Sequence, residues 1–453
     1  MSNPSSAVVL GASMAGLLAA RVLADRFDRV TLVERDPLPA GAAGRKGVPQ
    51  GAHAHGLLAS GLAAIAEWFP GIVDELESHG AFRVDVANDF VWFLHGTCKL
   101  RQPSDLTGVA VSRPCLEAAV RRRVRALPNV TLLDGTEVVE PVFEPARGRV
   151  TGVRVRAGQG SEERLDAQLV VDATGRGSQT PRWLGAWGYP PPPVETVRVD
   201  VAYATRTFER RPGDFLSPGG AVVSDAPRSA RIAAVLAAEG GRWIVTFAGA
   251  HGERAPADES AWRRFAAALP LPDVERLVAS ARPLSAIDGF RFPASQRRRY
   301  DRVASFPDGY VVVGDAVCSF NPIYGQGMSV AALEARALGG CLRAGLPGLP
   351  RRFFRRIRGI VDVPWSIANG EDLRFPQVVG RRPPGFAASC RYLDRVHAAA
   401  AADPRVAREF FGVLNLLAPP AALMAPRVLW RVLRHRARPA AAPRGDAGTV
   451  AIA

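Results

Sequence analysis

Residues 7–36 read AVVLGASMAGLLAARVLADRFDRVTLVERD, and the order of short apolar run, glycines, Ala/Leu-rich run and second apolar run decides the fold. Ala7 to Leu10 is too brief for a helix, and Gly11 interrupts it where a buried parallel strand has to turn. Met14 to Ala24 is rich in Ala and Leu and continues as a helix lying back on the sheet. Arg29 to Glu34 is the next strand, and Glu34 closes it about 20 residues past the turn, where an acidic side chain meets a ribose hydroxyl. Gly11 permits the bend, Gly16 lets helix and strand approach, and the amides of Met14 and Ala15 open the helix toward a pyrophosphate. Ser13 stands where the middle glycine of this pattern usually lies. Together these features predict a dinucleotide site. The uncharged run from Ala7 to Ala20 is too short for a membrane span, which needs about 20 apolar residues.

A chain of 453 residues is expected to hold two or three compact units. The net charge of +15 is carried almost wholly by Arg, with Lys46 and Lys99 as the only lysines. These cations are spread along the chain without interleaved aromatics, which predicts a general attraction for anions and no nucleic-acid surface. Five cysteines without a CxxC pair point to reduced thiols. With no leader pattern before Ala7, a cytoplasmic location is expected. The loop from Pro37 to Gly56 carries His53 and His55, but two-apart histidines without a third ligand predict no metal site. They read as surface or loop-anchoring residues. Arg45 and Lys46 in the same loop are cations able to pair with phosphate or with an anionic ring.

Leu57 to His79 has helical spacing, and Asp89 to Leu94 alternates as a strand covered on both faces. Ser112 caps a helix running to Ala126, with Pro114 in its first turn. Arg113 at its start faces a cofactor, whereas Arg121, Arg122, Arg123 and Arg125 are mostly expected in solvent. Val130 to Val138 and Arg149 to Arg156 are strands.

Two further segments resemble strand-end sites. LVVDATGRGS (169–178) places Asp172 at the end of a buried strand, followed by Gly175 and Gly177. GYVVVGDAVCSFNPIYGQGM (309–328) delivers Gly314 and Asp315 at a strand end, then Pro322, Gly325 and Gly327 before the helix Ser329 to Leu342. Amides near Gly327 and Met328 sit at that helix's positive end. Three such segments are what one long, extended dinucleotide needs.

Between them, Gln179 to Arg299 is mostly sheet. Trp243, Val245 and Phe247 share one face of a strand; sheet core is the default reading, and the lining of a cavity for an apolar ligand is the sharper one. Tyr203 lies on the partner strand. Pro350 to Arg436 is helical and Arg-rich, expected to pack over the core rather than contact a membrane, and Pro439 to Ala453 has the composition of a disordered tail. The expected fold class is α/β: a discontinuous Rossmann-like FAD-binding domain (1–85, 102–180 and 296–350), an inserted β-sheet substrate domain (86–101 and 181–295), a helical C-terminal region (351–436) and the tail (437–453).

With GASMAG, the Glu34 strand, DATGRG and GDAVCSFNPIYGQGM in this order, the chain resembles the FAD-dependent monooxygenases of the p-hydroxybenzoate hydroxylase type, up to the helix after Met328. GRKGVPQGAHAHGLL and SRPCLEAAVRRRV add a likeness to polyether epoxidases of the lasalocid type, which oxidise alkenes in polyketide intermediates. The resemblance implies that Gly11, Ser13, Met14, Ala15 and Gly16 meet the FAD pyrophosphate and Glu34 the adenosine ribose, with Arg35 beside it. Arg45 and Arg113 would lie along the cofactor, Val138 and Asp172 near the adenine, and Gly314 and Asp315 on the ribityl-pyrophosphate arm. Pro322, Gly325, Gly327 and Met328 would border the isoalloxazine.

The implied chemistry is oxygen transfer from a flavin C4a-hydroperoxide to an alkene of a polyketide or terpenoid intermediate. Aromatic hydroxylation and flavin-dependent reduction are the alternatives. Tyr203, Phe320 and Pro322 are the candidates to border the oxygen-transfer space. Partners are an apolar small molecule and O2. No second glycine-rich βαβ unit is evident, so NADPH or NADH enters transiently or a separate flavin reductase supplies electrons.

Overall fold

The computed structural model describes residues 4–214, 217–250 and 252–435. Its first layer is a five-stranded parallel sheet in the order Tyr310–Val312, Leu169–Asp172, Ser6–Leu10, Arg29–Val33, Val130–Leu133. The central strands are buried on both faces, which is why they read as unbroken apolar runs rather than as alternation. The helix Met14–Ala24 lies on this sheet and packs against the helices Arg113–Arg125 and Gly327–Leu342. This is the doubly wound α/β layer expected from residues 7–36.

The second layer is an eight-stranded sheet ordered Cys318–Ser319, Asp288–Arg298, Val194–Glu209, Arg242–Gly249, Arg231–Ala238, Gly220–Ser224, Phe90–Leu94, Thr97–Cys98. Its neighbours are antiparallel except for Gly220–Ser224 beside Phe90–Leu94. The helices Glu259–Ala267 and Pro272–Ser280 cover one face. There Trp243, Val245 and Phe247 are core: Phe247 meets Trp262 at 4.4 Å and Phe265 at 4.9 Å between ring centroids. The cavity-lining alternative for this stripe is therefore corrected. It is the opposite face, carrying Thr246 and Ala248, that borders open space.

Two elements are shorter than their sequence suggests. The run 57–79 breaks into helices Ala59–Trp68 and Ile72–Ser78, because Pro70 supplies no amide and Gly71 takes φ +75°. The run 130–138 turns at Asp134–Gly135, and its second half, Thr136–Glu144, joins a separate antiparallel sheet with Arg149–Ala157 and Glu162–Asp166. Arg121, expected in solvent, is buried and donates to the carbonyls of Pro39 and Gly41, holding the loop after the second strand.

The C-terminal helices Leu349–Asp372, Phe386–Ala399, Pro404–Leu414 and Pro426–Arg434 pack over the body of the protein. Val396, Val406 and Phe411 form a core that closes against Trp92 and Leu94 at the edge of the large sheet. No described helix is long and apolar enough to cross a membrane. The expected tail, 437–453, lies outside the described residues.

Candidate active site

The glycine turn is as tight as its residues allow. Gly11 has φ +95°, and a Cβ there would lie 2.7 Å from the Ala173 carbonyl oxygen; a Cβ on Gly16 would lie 1.7 Å from the Gly11 oxygen. Helix and strand are thus in backbone contact. Ser13 is the N-cap but its side chain does not cap the helix; its Oγ accepts from Arg113 Nη2 at 3.0 Å. The first-turn amides of Met14, Ala15 and Gly16 are left for an anion.

The other two segments converge on this turn. A Cβ on Gly314, which has φ +65°, would lie 2.7 Å from the Ala15 Cβ, and one on Gly175 would lie 4.0 Å from the Asp315 Cβ. Asp315 is exposed, and its Oδ1 would lie 3.8 Å from a Cβ on Gly327 at the start of the next helix. It has neither a hydrogen bond nor an ion pair among the described residues, although Arg113 and Arg176 are near enough to act on it. Burial by the surrounding protein raises its pKa, and the two guanidiniums pull it back. An exposed carboxylate without an internal donor is free to accept from a ligand, such as a ribitol hydroxyl. Gly327 and Met328 start the neighbouring helix, whose N-cap Gln326 makes no side-chain cap either.

Other acidic groups of the motif are spoken for by the chain itself. Glu34 accepts from the Ala12 amide at 2.9 Å and from the Asp36 amide at 3.1 Å, and pairs with Arg45 at 3.0 Å. It braces the turn against the second strand. Arg45 is enclosed by Glu34, Asp36 and Glu117, with its side chain 7% exposed. Asp172 is fully buried and accepts from Thr174, Ser178 and Thr180 hydroxyls and from Tyr310, so no lone pair faces an adenine. Arg35 points outward, and Val138 is half-buried on the strand Thr136–Glu144.

His55 was missed as a site residue. Its Nδ1 donates to the His53 carbonyl at 2.8 Å, so its Nε2 accepts from Arg113 Nη1 at 3.2 Å. Burial and the adjacent guanidinium push it down to about 3, which keeps it a neutral acceptor. It fixes Arg113 toward the cleft.

Next to the cleft lies an apolar cavity beneath the free face of the large sheet. Val84, Phe90, Trp92, Leu236, Phe290 and Ile323 give it an apolar wall. Pro322 and Gly325, from the third cofactor segment, line it too, so the cleft's far end is the cavity's wall. Tyr203 also lines it and donates to Asn321 Oδ1 at 2.6 Å. Asn321 Nδ2 in turn donates to Asp372 at 3.2 Å, and the Tyr324 hydroxyl to the same oxygen at 2.8 Å. Burial pushes the Asp372 carboxyl up to about 7. Phe320, expected at the oxygen-transfer space, instead packs in the core of the first layer and does not line the cavity.

His95, Glu371 and His397 come within 4.8 Å of one another at the far side of the large sheet, a grouping that sequence spacing hides. Arg374 reaches His95 Nδ1 at 3.3 Å, and burial, His95 and Lys99 all hold His397 low. Glu371 and Asp394 balance Arg374 around His95, and the cluster ties the hairpin at His95 to the C-terminal helices.

The glycine cradle, the two uncapped helix ends and the unpartnered carboxylate suit a flavin dinucleotide. Residues 7–180 match the family FAD dependent oxidoreductase. Over 354 residues the chain is 38% identical to protein Rv3254 of Mycobacterium tuberculosis, covering 76% of this chain and 74% of that one. The chain belongs to the family of FAD-dependent oxidoreductases and is an enzyme of that family. PqsL of Pseudomonas aeruginosa, a probable FAD-dependent monooxygenase, shares the fold with TM-score 0.60 and 18% identity, over 82% of this chain and 97% of that one. p-Nitrophenol 4-monooxygenase PnpA of Pseudomonas putida shares it with TM-score 0.62 and 19% identity, over 91% and 99%. Neither solved relative is named as a polyether epoxidase.

Proposed function

We propose that this enzyme is an FAD-dependent monooxygenase that places one atom of O2 on an apolar small molecule, with epoxidation of an alkene in a polyketide or terpenoid intermediate as the leading reaction. The observation that carries this reading is the shared wall: Pro322 and Gly325 belong at once to the cofactor segment and to an apolar cavity. Bound FAD supplies the activated oxygen. Ser13, Met14, Ala15 and Gly16 hold its pyrophosphate, Asp315 its ribityl arm, and Gly327 and Met328 its ring. The chain's remaining work is to position the substrate and exclude water.

An alkene requires no proton to be removed before it is attacked, and the hydroxyls of Tyr203 and Tyr324 at the cavity wall donate inward to Asn321 and Asp372. Aromatic hydroxylation is the second reading, favoured by the Tyr324–Asp372 pair at the cavity wall, which could take a phenolic proton through Tyr324. NADPH or NADH entering transiently, or a separate flavin reductase, provides the electrons. The test is turnover of FAD-loaded enzyme with NADPH, ¹⁸O2 and either an aryl alkene or a phenol. One labelled oxygen in an epoxide supports the first reading and one in a catechol the second; reductant consumption without oxygen uptake would remove both.

A further inference from the structure

A chain of hydrogen bonds ends at the cavity in a donor that no part of the protein uses. The Ala54 amide donates to Thr246 Oγ1 at 2.9 Å; Thr246 and Thr205 hydroxyls are 2.6 Å apart; Thr205 Oγ1 is 2.6 Å from His53 Nδ1. Each hydroxyl has one proton to place. Thr246 has a single acceptor within reach among the described residues, Thr205, so its proton points there. Thr205 then spends its own proton on His53 Nδ1. The reverse order would leave both the Thr246 proton and the His53 Nε2 lone pair without a partner, one more unpaired group than this order leaves.

His53 Nδ1 is therefore an acceptor, and the ring's proton resides on Nε2. His53 is 5% exposed, lines the cavity, and packs near Tyr203 and Phe290 at 5.9 and 5.6 Å between centroids. No described residue accepts from Nε2. Burial lowers its pKa, with Asp288 opposing, so the ring remains neutral. The described cavity lining contains no Asp, Glu, Lys or Arg. A charged substrate group would lose its hydration there without a partner.

We propose that His53 Nε2–H anchors the substrate by a single uncharged oxygen acceptor, so that the substrate class is an apolar molecule bearing a ketone, ester or ether oxygen and no ionised group. This rests on the cavity being the substrate site. Thr205 and Thr246 are positioning residues, since they act by setting the tautomer.

The test uses oxidised, FAD-loaded enzyme and two probes of matched shape, 2-acetylnaphthalene and 2-isopropenylnaphthalene, which exchange a carbonyl oxygen for a methylene. Binding measured by calorimetry should favour the ketone by roughly 2- to 10-fold, the range of one neutral hydrogen bond. His53→Phe should remove that preference while both probes still bind. His53→Gln, whose amide N–H reaches the Nε2 position, should keep it. Separately, ¹⁵N-histidine spectra should show the His53 proton on Nε2 in the wild type, and Thr205→Val should release it to a mixture of tautomers. Equal affinities for the two probes in the wild type, or a proton on Nδ1, overturn the anchor and leave the cavity as the substrate site. Failure of both probes to bind overturns the cavity reading and the anchor with it.

Discussion

Asp372 offers a perturbation whose size follows from the structure. It is 5% exposed at the end of the helix Leu349–Asp372, and burial raises its carboxyl from 3.8 to about 7, with the neighbouring Glu371 adding to the rise. Hydrogen bonds from Tyr324 and Asn321 offset only part of this. Between these two values the folded protein holds a proton that the unfolded chain has released. Stability contributed by this group is therefore full below the unfolded pKa and falls as pH rises toward 7, by about 4 kcal/mol between the two values. Asn fits the site: its Oδ1 can accept from both Tyr324 and Asn321, as the Asp372 Oδ1 does, and its amide replaces the oxygen that Asn321 approaches only at 3.4 Å. Asp372→Asn should then be more stable than wild type at neutral pH. The gap should widen by roughly 2–3 kcal/mol between pH 5 and pH 7, read from urea midpoints of the FAD-loaded proteins at each pH. Midpoints that run parallel across this range, or a gap that narrows as pH rises, refute the reasoning.

Three further outcomes are expected. Gly16→Val should yield a colourless or insoluble protein, because a Cβ already overlaps the Gly11 carbonyl at 1.7 Å; a yellow, FAD-retaining variant in absorbance spectra contradicts the close-contact argument. Asp315→Ala should weaken FAD binding by about tenfold or more while leaving the fold intact, since the carboxylate has no internal partner to lose; equilibrium dialysis with FAD checks this. On the large sheet, Phe247→Ala should lower stability by about 3–5 kcal/mol, whereas Ala234→Phe should block 2-isopropenylnaphthalene binding with little change in melting temperature, because the two positions sit on opposite faces.

The first layer was legible because its requirements are local. A backbone that turns at φ +95° and a helix packed against a carbonyl demand glycine at Gly11 and Gly16, and a strand covered on both faces must be apolar throughout. The same holds for Gly314 against Ala15, which is why three distant segments could be read as one cleft. The large sheet gave less away. Along Arg242–Gly249 almost every residue is buried, so alternation does not separate the helix-covered face from the cavity face. The bulkier stripe, Trp243 with Val245 and Phe247, drew attention to the wrong side for a ligand, since bulk fills a core and leaves room where Thr246 and Ala248 stand.

The polar residues show where pattern ends and accounting begins. Glu34, Asp172 and Asp315 all stand at strand ends and look alike in sequence, yet Glu34 and Asp172 are consumed by internal donors and Asp315 by none. Ser178 and Thr180, just after DATGRG, were the local sign that Asp172 would be satisfied from within. For His53 no local sign existed, because the two threonines that set its tautomer come from separate strands of the inserted sheet. A site residue is thus distinguished from a bracing residue by the donor or acceptor left over once the protein has paired its own groups. That remainder arises from tertiary contacts: among the described residues, the Asp315 carboxylate and the His53 Nε2–H in the cavity are places where it is left for a ligand.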